Sequence, residues 1–254
     1  MKNIFYYILT AAVLFFSSCE FLENADIELS EEEIVEGLKT ALTVGTDTSV
    51  TVLHAEDGYY KDEIVKILLP PEGQVMYQYV DMLESALGSD YLENTVMRIN
   101  RAAEDAADEA KPIFVNAVKN MTIQDGMNIL QGKSPDGSKV EFDSTAATAY
   151  LRVKTYNELV GAYAPKIDHS LDQPLVGNIS ATHAWNEATT WYNTLVIVLN
   201  GEEPIDVSLG EYTTGRALDG VFFKIGEEEK KIRKDPYQWG LDILNKVFGY
   251  VYEE

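Results

Sequence analysis

Cysteine is almost absent from this chain. Cys19 is the only one in 254 residues, so no disulfide can staple the fold within one chain and no set of thiolates can hold zinc. Histidine is nearly as scarce. His54, His169 and His183 are the three present, and no two stand at the i,i+4 spacing that puts a metal pair on one helix face. Positive charge is in short supply as well: 20 Lys and Arg face 42 Asp and Glu, for a formal net charge of −22. A surface so acidic repels phosphates and anionic headgroups, which argues against nucleic acid and acidic lipid surfaces as partners. No glycine-rich loop follows a strand-like run, so a nucleotide cradle lacks support. There is no internal repeat of fixed period, no low-complexity tract and no domain linker.

The one long apolar run lies at the start. Lys2 supplies a positive charge and residues 4–16 are largely apolar. At about 1.5 Å per residue such a run covers about 20 Å as a helix, short of the ~30 Å hydrocarbon core of a bilayer. Residues 1–18 therefore read as a removable signal peptide. Cys19 directly follows Phe16-Ser17-Ser18, a layout that resembles the lipobox of bacterial lipoproteins and implies lipid attachment at Cys19. The acidic stretch 19–28 then serves as a tether. These features predict a chain secreted across the inner membrane and held to the cell envelope, on a periplasmic or surface face. Its membrane partner would be reached through acyl chains and not through a basic patch.

What the chain has in abundance is helical periodicity. Ile99, Ala102, Ala103, Ala106, Ala110, Ile113, Phe114, Ala117, Val118 and Met121 recur at three- and four-residue steps, which draws one apolar stripe along a helix. Pro112 removes a backbone donor there and clashes with the preceding turn, so a kink is expected with the stripe kept in phase. A first helix is expected after Ser30 as its cap, with Glu33 as capping-box partner, Leu29 stapled onto Ile34 and Gly45 as the stop. A short helix through Val50 and Leu53 follows, then a helix from about Pro71 to Leu87. Asp90 with Glu93 and Thr122 with Asp125 read as caps of two more helices, the second with Ile123, Met127 and Leu130 on its buried face.

Ser134-Pro135-Asp136-Gly137 is turn chemistry, so one short hairpin or loop insertion is expected near 133–143. Helices follow over 146–163 and 181–199, with the piece between Pro165 and Pro174 left open by the pattern. Over 212–236, Ala217, Leu218, Val221, Phe222, Ile225 and Ile232 line one face, and Glu227 to Lys231 and Glu229 to Arg233 read as supporting pairs. Tyr237, Leu241, Leu244, Phe248 and Val251 stripe a last helix. The fold class is all-α: a multi-helix bundle with a kinked central helix, forming a single domain over 29–254.

Several of these stretches carry a family likeness. LSEEEIVEGLKTAL (29–42), ILLPPE (67–72), NRAAEDAADEAKPIFVNAVKNMTIQDGMNIL (100–130), AATAYLRVKT (146–155), RALDGVFFKIGEEEKKIRKDP (216–236) and LNKVFG (244–249) together resemble the bacterial domain of unknown function 4197 family, in order and over nearly the whole body. The resemblance implies a secreted or lipid-anchored, mostly helical protein, and it brings no catalytic residues.

The residues themselves point to little chemistry. The run Asp168-His169-Ser170 has the letters of a triad without the pattern around it that positions one. Glu104, Asp105, Asp108 and Glu109 lie opposite the Ala stripe and read as a solvated face rather than a cation site, and His183 with Glu187 reads as exposed helix surface. The candidate polar site is Arg101, Arg216 and Asp219: if the 100–132 and 212–236 motifs pack together, these residues and Glu104 would form an ion-pair network or, alternatively, line a small anionic-ligand pocket. No metal and no cofactor is expected. The expected role is binding or scaffolding; the alternative is a hydrolase-like enzyme or anion binder with its site between those two motifs.

Overall fold

A computed structural model of the chain describes residues 30–135, 141–200 and 203–251. The signal segment, Cys19, the tether, Leu29 and the middle of the 133–143 insertion lie outside the described residues. The chain divides into two units, Met1–Ser30 and Glu31–Glu254, and the second is the helical body.

The body is all-α, with no strand among the described residues. Helix α1 (Glu31–His54) opens on three glutamates in its first turn, where the unpaired amides of a helix start favour negative charge. It does not stop at Gly45. That glycine is buried in mid-helix, and a Cβ added to it would lie 3.6 Å from Ile232. Two turns earlier, a Cβ on Gly37 would lie 2.5 Å from Val247. Gly37 thus admits a close approach of the helix that carries Val247, Gly45 lies in ordinary contact with the one that carries Ile232, and the apolar spacing carries α1 on through fully buried Val50 and Leu53.

After an irregular stretch over 55–70, a 3₁₀ segment (Pro71–Tyr79) leads into α2 (Val80–Leu87). The next helix, α3 (Tyr91–Ala106), starts on Asp90, which adopts a left-handed conformation (φ 56°) and makes no side-chain cap. The expected kink is present one turn before Pro112: α3 gives way to a 3₁₀ turn (Ala107–Glu109) and then α4 (Ala110–Lys119). Pro112 has no N–H to donate to the carbonyl of residue 108, and its ring crowds that carbonyl, so the helix tightens there. The first half of the stripe is buried, with Ala102, Ala103, Ala106, Ala107 and Ala110 fully inaccessible, while Ala117 in α4 is half-buried. The capping box of Thr122 and Asp125 is formed and starts α5 (Ile123–Leu130). The buried face of α5 is Gly126, Ile129 and Leu130, rotated from the expected one because Gly126 lets Val35 of α1 approach; Ile123 stays exposed.

The insertion after α5 closes on itself, since the amide of Asp143 donates to the carbonyl of Gly132 at 2.8 Å. Helix α6 (Ala146–Leu171) runs straight through Pro165. Pro165 is exposed, so the carbonyl that its missing N–H leaves free can be hydrated. Helix α7 (Ala181–Asn200) forms as expected, α8 (Leu209–Lys234) is capped by the Ser208 hydroxyl, and a 3₁₀ turn (Pro236–Trp239) leads to α9 (Asp242–Val251).

The partner of the Ala stripe is α6, not α8. The Tyr163 hydroxyl of α6 donates to the Ala107 carbonyl at 2.9 Å across that contact, while α8 packs mainly on α6 and α1. The 100–132 and 212–236 motifs still meet, through the edge-on rings of Phe114 and Phe222 at 5.9 Å. Glycine substitutions on these helices should separate cleanly. A Cβ on Gly220 would lie 2.7 Å from the Tyr59 ring, which is fully buried and cannot swing away, so Gly220→Ala is expected to cost about 1–3 kcal/mol in urea unfolding. Gly161 and Gly215 face open space, and alanine at either should leave stability unchanged or raise it by up to about 1 kcal/mol.

Candidate functional site

Charged and amide side chains on α3 organise the 55–70 stretch. Asn100 is fully buried; its side chain accepts from the Ile67 amide at 2.8 Å and donates to the carbonyls of Ile67 at 2.8 Å and Val96 at 2.7 Å. One turn on, Glu104 is only 3% exposed, so this carboxylate belongs to the core and not to a solvated acidic strip. It accepts from the amides of Tyr59 and Tyr60 at 3.1 and 3.2 Å. Arg101 donates to Glu104 and to Asp57, both at 2.6 Å, and thereby holds Asp57 in its left-handed conformation (φ 69°). The Glu104 carbonyl lies 2.9 Å from His54 Nδ1, which must carry the proton because a carbonyl only accepts. Tyr59, fixed by its amide, then sends its hydroxyl to the Ala217 carbonyl of α8 at 2.8 Å.

Further ties fasten the same stretch. Lys66 and the Tyr60 hydroxyl meet Glu93 at 2.9 and 2.7 Å, and Lys224 pairs with Asp62. The Glu93 bond pushes the Tyr60 hydroxyl up to about 12. Burial pushes the carboxyls of Asp62 and Glu93 up, but Lys224 with two backbone amides and Lys66 with Tyr60 outweigh it and hold both below their ordinary range.

Arg216 and Asp219 stand elsewhere. Arg152 donates to Asp219 at 2.7 Å and Arg216 lies 3.5 Å from its other oxygen, with all three side chains roughly half exposed. The Arg152 guanidinium also sits 5.1 Å from the Phe222 ring centre. No hydrogen bond or ion pair among the described residues joins Arg101 to Arg216 or Asp219, so the three residues fall in two clusters: Arg101 with Glu56, Asp57 and Glu104, and Arg152 with Arg216 around the one carboxylate of Asp219. Ser170 donates to Asp105 at 2.6 Å, and Lys166 pairs with the same carboxylate at 2.8 Å, while His169 points to solvent. Among the described residues no group of three or more His, Cys, Asp and Glu is placed to hold a metal ion.

The pair Glu229 and Arg233 reads in the sequence as surface helix support, and it is buried. The two residues are 7% and 4% exposed. Glu229 accepts the amides of Ala147 and Thr148 at 3.0 and 2.8 Å and the Thr148 hydroxyl at 2.8 Å, and so caps the start of α6. Arg233 donates twice to Glu229, at 3.0 and 2.8 Å, and once to the Ile129 carbonyl at the end of α5, at 3.1 Å. Between this pair and α1 remains a cavity of about 20 Å³, the room of a single water.

A shallow, open concavity lies on another side of the body. Helices α2 and α7 lie alongside each other and leave two adjoining depressions of about 510 and 490 Å³, which share Trp191 and Leu195 as floor. Met82 is 53% and Leu195 39% exposed there. Leu87 completes the apolar lining, and Asp81 and Glu187 are its acidic members. Glu187 is braced by the Tyr91 hydroxyl at 2.5 Å and lies 3.7 Å from His183. The helix expected from about Pro71 to Leu87 gives no sign that Met82 and Leu87 border an open face. The signal available was the width of the pattern: residues 191–199 are apolar nearly all round, and such a helix needs cover on more than one side.

Two outcomes test this electrostatic layout. Glu229→Ala strands a buried guanidinium and two helix-start amides, so it should cost about 3–5 kcal/mol in urea unfolding; Arg233→Met should cost less, because Glu229 keeps its α6 donors. Carboxyls held low in the folded state stabilise it fully above their unfolded pKa values and lose that contribution as pH falls through the folded ones. Stability measured between about pH 5 and 3 should therefore fall less steeply in Asp62→Asn than in the parent.

No curated protein and no solved structure gave a significant match to the chain. A family model described as a protein of unknown function (DUF4197) matches residues 28–249, which spans α1 to Gly249 in α9. The sequence motifs and the helical body fall inside that match, and the chain belongs to the DUF4197 family.

Proposed function

We propose that this protein is a lipid-anchored component of the bacterial cell envelope whose helical body binds or scaffolds a partner rather than catalysing a reaction. The anchor rests on the sequence: Lys2, the apolar run over 4–16 and Cys19 directly after two serines. None of the described helices is long and apolar enough to cross a membrane, so attachment through this body would have to come from elsewhere, and acyl chains on Cys19 supply it.

The observation that carries the binding role is the α2–α7 groove, where Met82 and Leu195 are exposed beside Trp191 and Leu87. Adjoining exposed apolar residues in a concave setting mark an interaction site more often than a bare surface. The buried polar groups serve different ends: Asn100, Glu104, Glu229 and Arg233 spend their hydrogen bonds on helix ends and on the 55–70 stretch.

Metabolic labelling with a fatty acid in a bacterial host tests the anchor. The parent chain should incorporate label and move with the membrane fraction, and Cys19→Ala should do neither. Label retained by Cys19→Ala would sink the anchor.

A further inference from the structure

The α2–α7 groove has a chemical character that narrows what it can hold. Its floor is Trp191 and Leu195, Met82 and Leu87 flank it, and its acidic side chains are Asp81 and Glu187; among the described residues no Lys or Arg lines either depression. We propose that this groove binds an amphipathic, basic helical segment of a partner protein. The inference rests on the binding role proposed above and names the class of partner.

Three features carry it. The lining from His183 to Leu195 follows one face of α7, which at 1.5 Å per residue is about 18 Å, room for about three turns of a partner helix. Apolar side chains spaced along one helix face would cover Trp191 and Leu195, the mode in which an amphipathic helix lies in a groove. Met82, unbranched and half exposed, adapts its shape to what covers it. Charge selects among occupants. Asp81 and Glu187 favour Lys or Arg on the flanks of the incoming segment. A second copy of this chain, at a net charge of −22, and an anionic lipid surface are both repelled at long range.

The test uses the full-length chain in phosphatidylcholine nanodiscs, with empty discs as blank. The probe is a fluorescein-labelled 14-residue peptide of leucine and lysine patterned as an amphipathic helix. Anisotropy should show binding, and the emission of Trp191 should shift to the blue, a shift lost in Trp191→Phe. Leu195→Asp and Met82→Asp should each weaken binding at least tenfold. These two variants add negative charge at exposed positions, so adsorption driven by net charge alone would tighten or stay equal; that result overturns the proposal. Equal binding by a leucine and glutamine peptide would overturn the basic character of the partner while leaving a groove that binds. Self-association of the parent, abolished by Leu195→Asp, would overturn the proposal in favour of a second copy.

Discussion

A carboxylate and a guanidinium withdrawn from water each cost several kcal/mol, and their mutual attraction offsets this only when further hydrogen bonds complete the pair. Glu229 and Arg233 meet that condition by being placed at two helix ends. The carboxylate caps the start of α6, where the unpaired amides carry partial positive charge, and the guanidinium takes a last-turn carbonyl of α5, where the partial charge is negative. One pair on α8 thereby registers three helices. A slip of α8 by one residue would leave α6 uncapped, the α5 carbonyl unpaired and both charges stranded.

The same logic recurs on α3. Glu104 and Asn100 stand four residues apart and face the 55–70 stretch, which has no regular structure to satisfy its own amides. Buried backbone groups must find partners, and here α3 side chains supply them. Tyr59 then carries the constraint onward to α8, seated against Gly220 and bonded to the Ala217 carbonyl. The irregular stretch is thus wedged between two helices and held from both.

Local chemistry in this sequence translated directly into structure. The Thr122 and Asp125 box, the break before Pro112, the Ala stripe and the helical state of 181–200 follow from spacing and backbone restriction that act within a turn or two. Gly45 was misleading because a glycine reads the same whether it ends a helix or admits a neighbour; the presence of α8 decided it. Pro165 was ambiguous for a related reason, since an exposed proline on a long, well-packed helix costs a bond without costing the helix. The partner of the Ala stripe was illegible because small side chains say that something comes close without saying what. Glu229 and Arg233 show the deepest limit: an i,i+4 ion pair looks identical in sequence on a wet surface and in a core, and only the convergence of α5 and α6 buries it. The candidate cluster of Arg101, Arg216 and Asp219 depended on the same kind of distant contact. Its local halves, Arg101 with Glu104 and Arg216 with Asp219, are the parts that spacing could give.

A few charges are buried at helix ends and a few apolar side chains are left exposed in the α2–α7 groove, and this bears on where recognition lies. Arg152 and Arg216 are half exposed but already share Asp219. An incoming anion would have to share those guanidiniums with that carboxylate in water, where such pairs are worth about 0–1 kcal/mol, so it would gain little. Covering the exposed parts of Trp191, Leu195 and Met82 has no such competitor, and each Å² of apolar surface removed from water contributes about 25 cal/mol. The groove also sits where binding disturbs least. Helix α7 is held against the 3₁₀ segment that precedes α2 by apolar contacts, Trp185 on Gly73 and Tyr79 edge-on to Tyr192, away from the ion pairs that register α5, α6 and α8. A partner seated there can gain from apolar burial without reopening any of the buried charges on which the fold depends.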